Sequence, residues 1–142
     1  MDPKHVVCDF EMSIKIAIET ELPYAEICEC FFHFAQSLWR RVQKLGLSGA
    51  YRRHRSVKKV IRKVTAMAFL PVLLLRNNLN TLLASRQYQH LRVRYPAIDD
   101  FMDYFRRTYM NAQGHFPPTL WNVYNRSIST RTKNVMEGLY SN

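Results

Sequence analysis

Apolar positions in the first forty residues follow two kinds of pattern. "HVVCDF" is a brief apolar run of the sort a short buried strand makes, and behind it Phe10, Ile14, Ala17, Ile18 and Leu22 recur at helical spacing until Pro23 ends the series. "AEICECFFHF" then reads as a second strand running into a second helix. In that helix Phe34, Leu38, Val42 and Leu45 form one apolar stripe, and Gly46 supplies the stop. A strand–helix–strand unit of this length fits a parallel crossover, so this part of the chain predicts α/β structure.

Beyond residue 46 the period is helical throughout. "YRRHRSVKKVIRKVTAMAFL" puts Val57, Val60, Ile61, Val64 and Ala68 on one face and Arg55, Lys58, Lys59, Arg62 and Lys63 on the other, which predicts an amphipathic and strongly basic helix. "VLLLRNNLNTLLAS" continues helically after Pro71. "IDDFMDYFRRTYM" has Ile98, Phe101, Phe105 and Tyr109 at helical spacing, with acids in its first turn and Arg106 and Arg107 further on, matching the helix dipole. Gly114, Pro117 and Pro118 then punctuate the chain before Leu120, Trp121 and Tyr124, a short aromatic helix anchoring a loop. Ser129, Thr130 and Thr132 offer caps for a last helix carrying Glu137.

Composition narrows this picture. At 142 residues and 47% hydrophobic content, one domain with a real core is expected. Three cysteines and the absence of an apolar leader after Met1 point to a reducing intracellular compartment. The longest apolar run, "VTAMAFLPVLLL", is interrupted by Pro71 and is much shorter than the roughly 20 residues a membrane span needs.

Charge changes the picture more. The formal net charge is +10, and between Glu29 and Asp99 there are fourteen Lys or Arg and no acid. A surface that cannot neutralise itself attracts polyanions, with nucleic acid the leading partner and an anionic membrane surface the second. Within that stretch Arg52, Arg55, Lys58, Lys59, Arg62 and Lys63 recur three or four apart, a stripe that a single helix would lay along phosphates.

Candidate chemistry is sparser. Asp9 stands where the first apolar run breaks off, and it suits either a helix cap or a carboxylate ligand at a strand end. Cys28, Cys30 and His33 could begin a zinc site, but no second pair accompanies them and only Cys8 remains. A Cys–His nucleophile pair lacks an orienting acid. Phe116, Trp121 and Tyr124 suit either the core or stacking on unpaired bases.

Taken together, "VVCDFEMSIKIAIETELPYAEICECFFHFAQSLWRRVQKLGL", "AMAFLP", "FMDYFRRTYM", "FPPTLWNVYN" and "RTKNVMEG" resemble the Mutator-like transposase domain, in the family's order and over nearly the whole chain. The resemblance implies a DDE-type, RNase H-like fold. It makes Asp9 the second catalytic aspartate, Glu137 the catalytic glutamate, and Cys30 and His33 the C-x-x-H motif that braces the junction between core and insertion. It also implies Mg²⁺ held by Asp9 and Glu137, DNA as partner and the nucleus as compartment. Two such ions would activate a water or a 3′-OH and stabilise the leaving oxygen of a phosphoryl transfer.

The expected fold is therefore α/β and mostly helical. Residues 1–39 would form a partial RNase H-like core (strand–helix–strand), 40–128 a large basic helical insertion, and 129–142 the start of the helix carrying Glu137. No residue matches the family's first aspartate, and "RTKN" and "GLYSN" depart from the family's R-T-N-N and W-H, so the chain reads as a piece of a transposase that binds DNA without cleaving it alone. The alternative is a non-catalytic basic helical module for DNA or RNA. An exposed strand edge in half a sheet would further favour a homo-oligomer.

Overall fold

Helical spacing from Phe34 to Trp121, with interruptions, sets the architecture of the described body. The computed structural model describes residues 31–125, together with the backbone of two short strands, β1 (His5–Cys8) and β2 (Glu26–Glu29). Within 31–125 the regular elements are all helical and 78% of the residues lie in them. In order they are α1 (Phe31–Lys44), α2 (Ser48–Arg53), α3 (Arg55–Ala66), 3₁₀ turns at Met67–Phe69 and Val72–Leu74, α4 (Leu75–Ala84), α5 (Arg86–Arg94), α6 (Ala97–Tyr109) and α7 (Pro118–Trp121).

This corrects the expected fold class. Among the described residues no partial RNase H-like core of strand, helix and strand is seen, and the body they form is α-helical, not α/β. β1 and β2 pair in parallel, residue for residue from His5↔Glu26 to Cys8↔Glu29, but they make a sheet of two strands. The physical reason lies in where the apolar side chains are. Every described core residue falls between Phe34 and Val123, on stripes of period 3.6 that bury against each other without needing a sheet. The segment between the two strands lies outside the described residues.

α1 buries Phe34, Leu38 and Val42 and stops where the sequence predicts. Gly46 takes φ +73°, a left-handed conformation that glycine adopts without a Cβ penalty. Its N–H donates to the Gln43 carbonyl (3.0 Å) and the Leu47 N–H to the Val42 carbonyl (2.9 Å), while Leu47 and Val42 are both buried. These are the two bonds and the apolar contact of a Schellman stop. α1 runs unbroken through residues 39 and 40.

The basic helix predicted as one element is two. His54 is extended (φ −118°, ψ 114°), closes α2 by donating its N–H to the Ala50 carbonyl (2.8 Å), and precedes the first residue of α3. The apolar stripe lapses for one turn between Ala50 and Val57, where Arg53 and His54 stand, so a continuous helix would have had to bury a charge there. From Val57 the stripe resumes, and Val57, Val60, Ile61 and Val64 are all buried.

α3 packs on α5, α5 on α6, and α6 on α1. Ser85 separates α4 from α5 and caps the latter, its hydroxyl accepting from the Tyr88 N–H (3.2 Å). Tyr88 is buried, and its hydroxyl donates to Asp99 in the first turn of α6. Arg92 holds the other carboxylate oxygen through Nε (2.9 Å) and Nη2 (2.8 Å), so one acid fixes α5 to α6. Burial, and then the adjacent Asp99 carboxylate, push the Tyr88 phenol above its ordinary pKa.

The segment 118–123 closes the body. Trp121 is fully buried, its ring stacked on Phe34 (4.7 Å, 0°), and its indole N–H donates to the Tyr109 carbonyl (2.9 Å). The Asn122 side-chain amide donates to the Leu70 carbonyl (2.7 Å) and the Val123 N–H to the Ala68 carbonyl (2.8 Å). These bonds satisfy backbone groups that the turn after α3 leaves outside any helix.

Two outcomes follow from this packing. Trp121→Ala removes a buried ring and a buried hydrogen bond, and should lower unfolding free energy by about 3–5 kcal/mol, read from the urea midpoint at unchanged slope. For Tyr88 the folded pKa lies above the unfolded value of 10.0, so its contribution is fully present below that pH and is lost as pH rises toward the folded value. Tyr88→Phe should cost about 1.5 kcal/mol at neutral pH. The gap between variant and parent should shrink above pH 10 in alkaline unfolding scans.

Candidate nucleic-acid interface

α3 presents two faces of opposite character. Its four buried valine and isoleucine positions fix the helix against the core, which leaves the intervening positions no choice but the surface. An open groove of about 970 Å³ runs along that surface, lined by Arg53 from the end of α2 and by Arg55, Lys58, Lys59, Arg62 and Lys63 of α3. His54, Ser56 and Ala66 complete this wall, and Gln87 of α5 contributes from the other side. Among the described residues none of the six cations pairs with an acid; the ion pairs there are Arg92–Asp99 and Arg106–Asp103.

The cations differ in freedom. Arg53, Arg55, Lys59, Arg62 and Lys63 are exposed. Lys58 is half-buried, with its ammonium 5.4 Å from the centre of the Tyr51 ring, close enough for a cation–π contact. Tyr51 in turn meets Trp39 of α1 edge-on (4.9 Å), so the core braces this end of the groove. His54 stands 5.4 Å from the Tyr95 ring at the C-terminal end of α5. Six positive charges with no counter-charge among the described residues repel one another, and a polyanion in the groove removes that repulsion.

The structure therefore brings together five of the six predicted basic residues. Arg52 is exposed on α2 but does not line the groove; Arg53 takes its place. A continuous helix puts Arg52 in phase with Arg55 and Lys59, but the extended residue at 54 resets the phase between α2 and α3. The missed signal was the one-turn lapse of the apolar stripe at residues 53 and 54.

Elsewhere the predicted site residues are not assembled. Asp9, Cys30 and Glu137 lie outside the described residues. His33 sits in the first turn of α1, half-buried, its ring 5.2 Å from that of Phe32. Among the described residues no group of three or more His, Cys, Asp or Glu is placed to hold a metal. Trp121 belongs to the core, Phe116 is partly buried against Tyr109 (6.2 Å), and Tyr124 is exposed. No helix among the described residues is long and apolar enough to cross a membrane.

Comparison with protein-family models found no match, and no significant match was found among curated proteins or solved structures.

Replacing Lys58, Lys59, Arg62 and Lys63 together with Ala leaves every buried residue of α3 in place and relieves like-charge repulsion. The unfolding free energy should change by no more than about 0.5 kcal/mol for each exposed position, with the helical circular dichroism unaltered.

Proposed function

We propose that this chain binds nucleic acid, duplex DNA first, by laying the α3 groove along the phosphate backbone. The observation that carries this reading is the row of six groove cations with no acid paired to any of them among the described residues. Phosphates supply the missing counter-charge, and the counterions they release provide the driving force. Contacts of this kind position a protein without reading bases, so the binding is independent of sequence. Arg53, Arg55 and Arg62 offer planar forks for phosphate oxygens, while the lysines act as point charges.

The motifs that resemble Mutator-like transposases support DNA as the polymer and the nucleus as its place. On that reading the chain is a piece of a transposase, and Asp9 and Glu137 are the carboxylates that would hold Mg²⁺, which when bound supplies activation of the attacking oxygen. The support for this lineage is in the sequence motifs alone. Binding along α3 does not depend on it, and a non-catalytic module built on the same helices would bind in the same way.

Titration of a fluorescent duplex by anisotropy at several salt concentrations tests the reading. If about five cations reach phosphates, the log–log salt slope should be about −4 to −5. Ala at Lys58, Lys59, Arg62 and Lys63 should reduce it by about one unit per lost contact. An unchanged slope in that variant would remove α3 from the interface.

A further inference from the structure

A second concavity adjoins the basic groove. Its volume is about 330 Å³, at the lower end of the ~300–1,000 Å³ range of small-ligand sites. Lys63 and Ala66 line both cavities, so the two meet along the last turn of α3. The walls of the second are apolar where Met67, Leu70 and Leu82 stand, and polar where Asn78, Thr81 and Ser85 do. The Asn78 amide N–H already donates to the Leu74 carbonyl (2.8 Å), which directs its own carbonyl oxygen to other partners. The Ser85 hydroxyl is engaged with the Leu82 carbonyl (2.7 Å) and the Tyr88 N–H. Thr81 is exposed.

An apolar-walled pocket with a few polar groups, opening off a phosphate-tracking groove, matches one part of a nucleic acid. A nucleobase has two apolar faces and a polar edge, and its sugar links it directly to the phosphate. In an intact duplex the bases are stacked inside and have nothing to offer such a pocket; in a single strand each is free to turn outward. We infer that the pocket between the end of α3 and α4 receives one unstacked base of a single-stranded segment whose phosphates lie in the α3 groove. The inference rests on the proposed nucleic-acid reading and adds that the groove also accepts a single strand, with the place where one of its bases is held. With no aromatic side chain in the lining, enclosure by Met67, Leu70 and Leu82 replaces ring stacking, so discrimination among bases is weak.

Asn78 and Thr81 are exposed on α4 and line this pocket but not the α3 groove, so Asn78→Leu with Thr81→Leu fills the mouth without a change of charge or of any buried residue. The full chain is titrated with a single-stranded oligonucleotide of about 12 nucleotides carrying 2-aminopurine at successive positions, and with the corresponding duplex. The emission of 2-aminopurine should change on binding to the parent. The double variant should weaken single-strand binding by about tenfold, abolish that emission change and leave duplex binding as it was. Equal loss on both polymers, or no loss on either, would overturn the pocket. Duplex binding with the expected salt slope but no such difference overturns this inference while the groove reading stands; failure of the parent to bind either polymer overturns both. The turn after Leu70 carries Leu73 at 92% exposure, beside Val72 and Leu74, so vesicles containing phosphatidylserine form a third arm. Tighter binding to those vesicles than to oligonucleotide would overturn the base-binding site in favour of a lipid surface.

Discussion

The indole of Trp121 is the point at which three stretches of chain meet. Its ring lies flat on Phe34 of α1 and edge-on to Phe105 and Tyr109 of α6, and its N–H reaches the Tyr109 carbonyl. The next two residues bond to the carbonyls of Leu70 and Ala68, immediately beyond α3. One hexapeptide thus ties the first helix, the sixth and the bend after the third. Without it the bend would leave backbone carbonyls unpaired near the core, each costing about 1–3 kcal/mol. The groove depends on the same anchor, because α3 keeps its bearing only if its C-terminal end is held.

Charge segregation is sustained by that packing. α3 has no acid in its first turn, no side-chain hydrogen bond at its N-cap, and cations over its whole outer face. An isolated peptide of this sequence would gain from its dipole only at Lys63 in the last turn, against Arg55 in the first, and nothing from i,i+4 ion pairs. Burial of Val57, Val60, Ile61 and Val64 supplies the stability instead, so the outer face is free to be shaped by what it binds. Among the described residues, Asp99 is committed to Tyr88 and Arg92, and Asp103 pairs with Arg106.

Local features of the fold were legible and non-local ones were not. Gly46 announced its stop because a left-handed residue after an apolar stripe has a specific residue preference. The buried faces of α3 and α6 followed from spacing alone. The α/β expectation failed because "HVVC" and "EICE" pair as two strands of only four residues, while the described core lies on helices, and a fold class follows the bulk of the core. Trp121 was readable as an aromatic anchor but not as the partner of Phe34, since their stacking spans 87 residues of chain. The cation row was visible from charge counting, which needs no fold. The adjoining pocket was not, because it pairs residues 63–70 with residues 78–85 across a proline turn.

The break at His54 and the shape of the groove are a single feature. Were α2 and α3 continuous, Arg53 and His54 would occupy the inward phase between Ala50 and Val57, and burying a guanidinium there is far more expensive than leaving one residue extended. Breaking the helix turns Arg53 outward to the end of the α3 row and leaves Ala50 and Leu47 in the core. The polarity of residues 53 and 54 therefore decides where the helix ends, and the position of that end decides which arginine joins the groove. The same two residues that make the stripe lapse in the sequence complete the cationic surface in the fold.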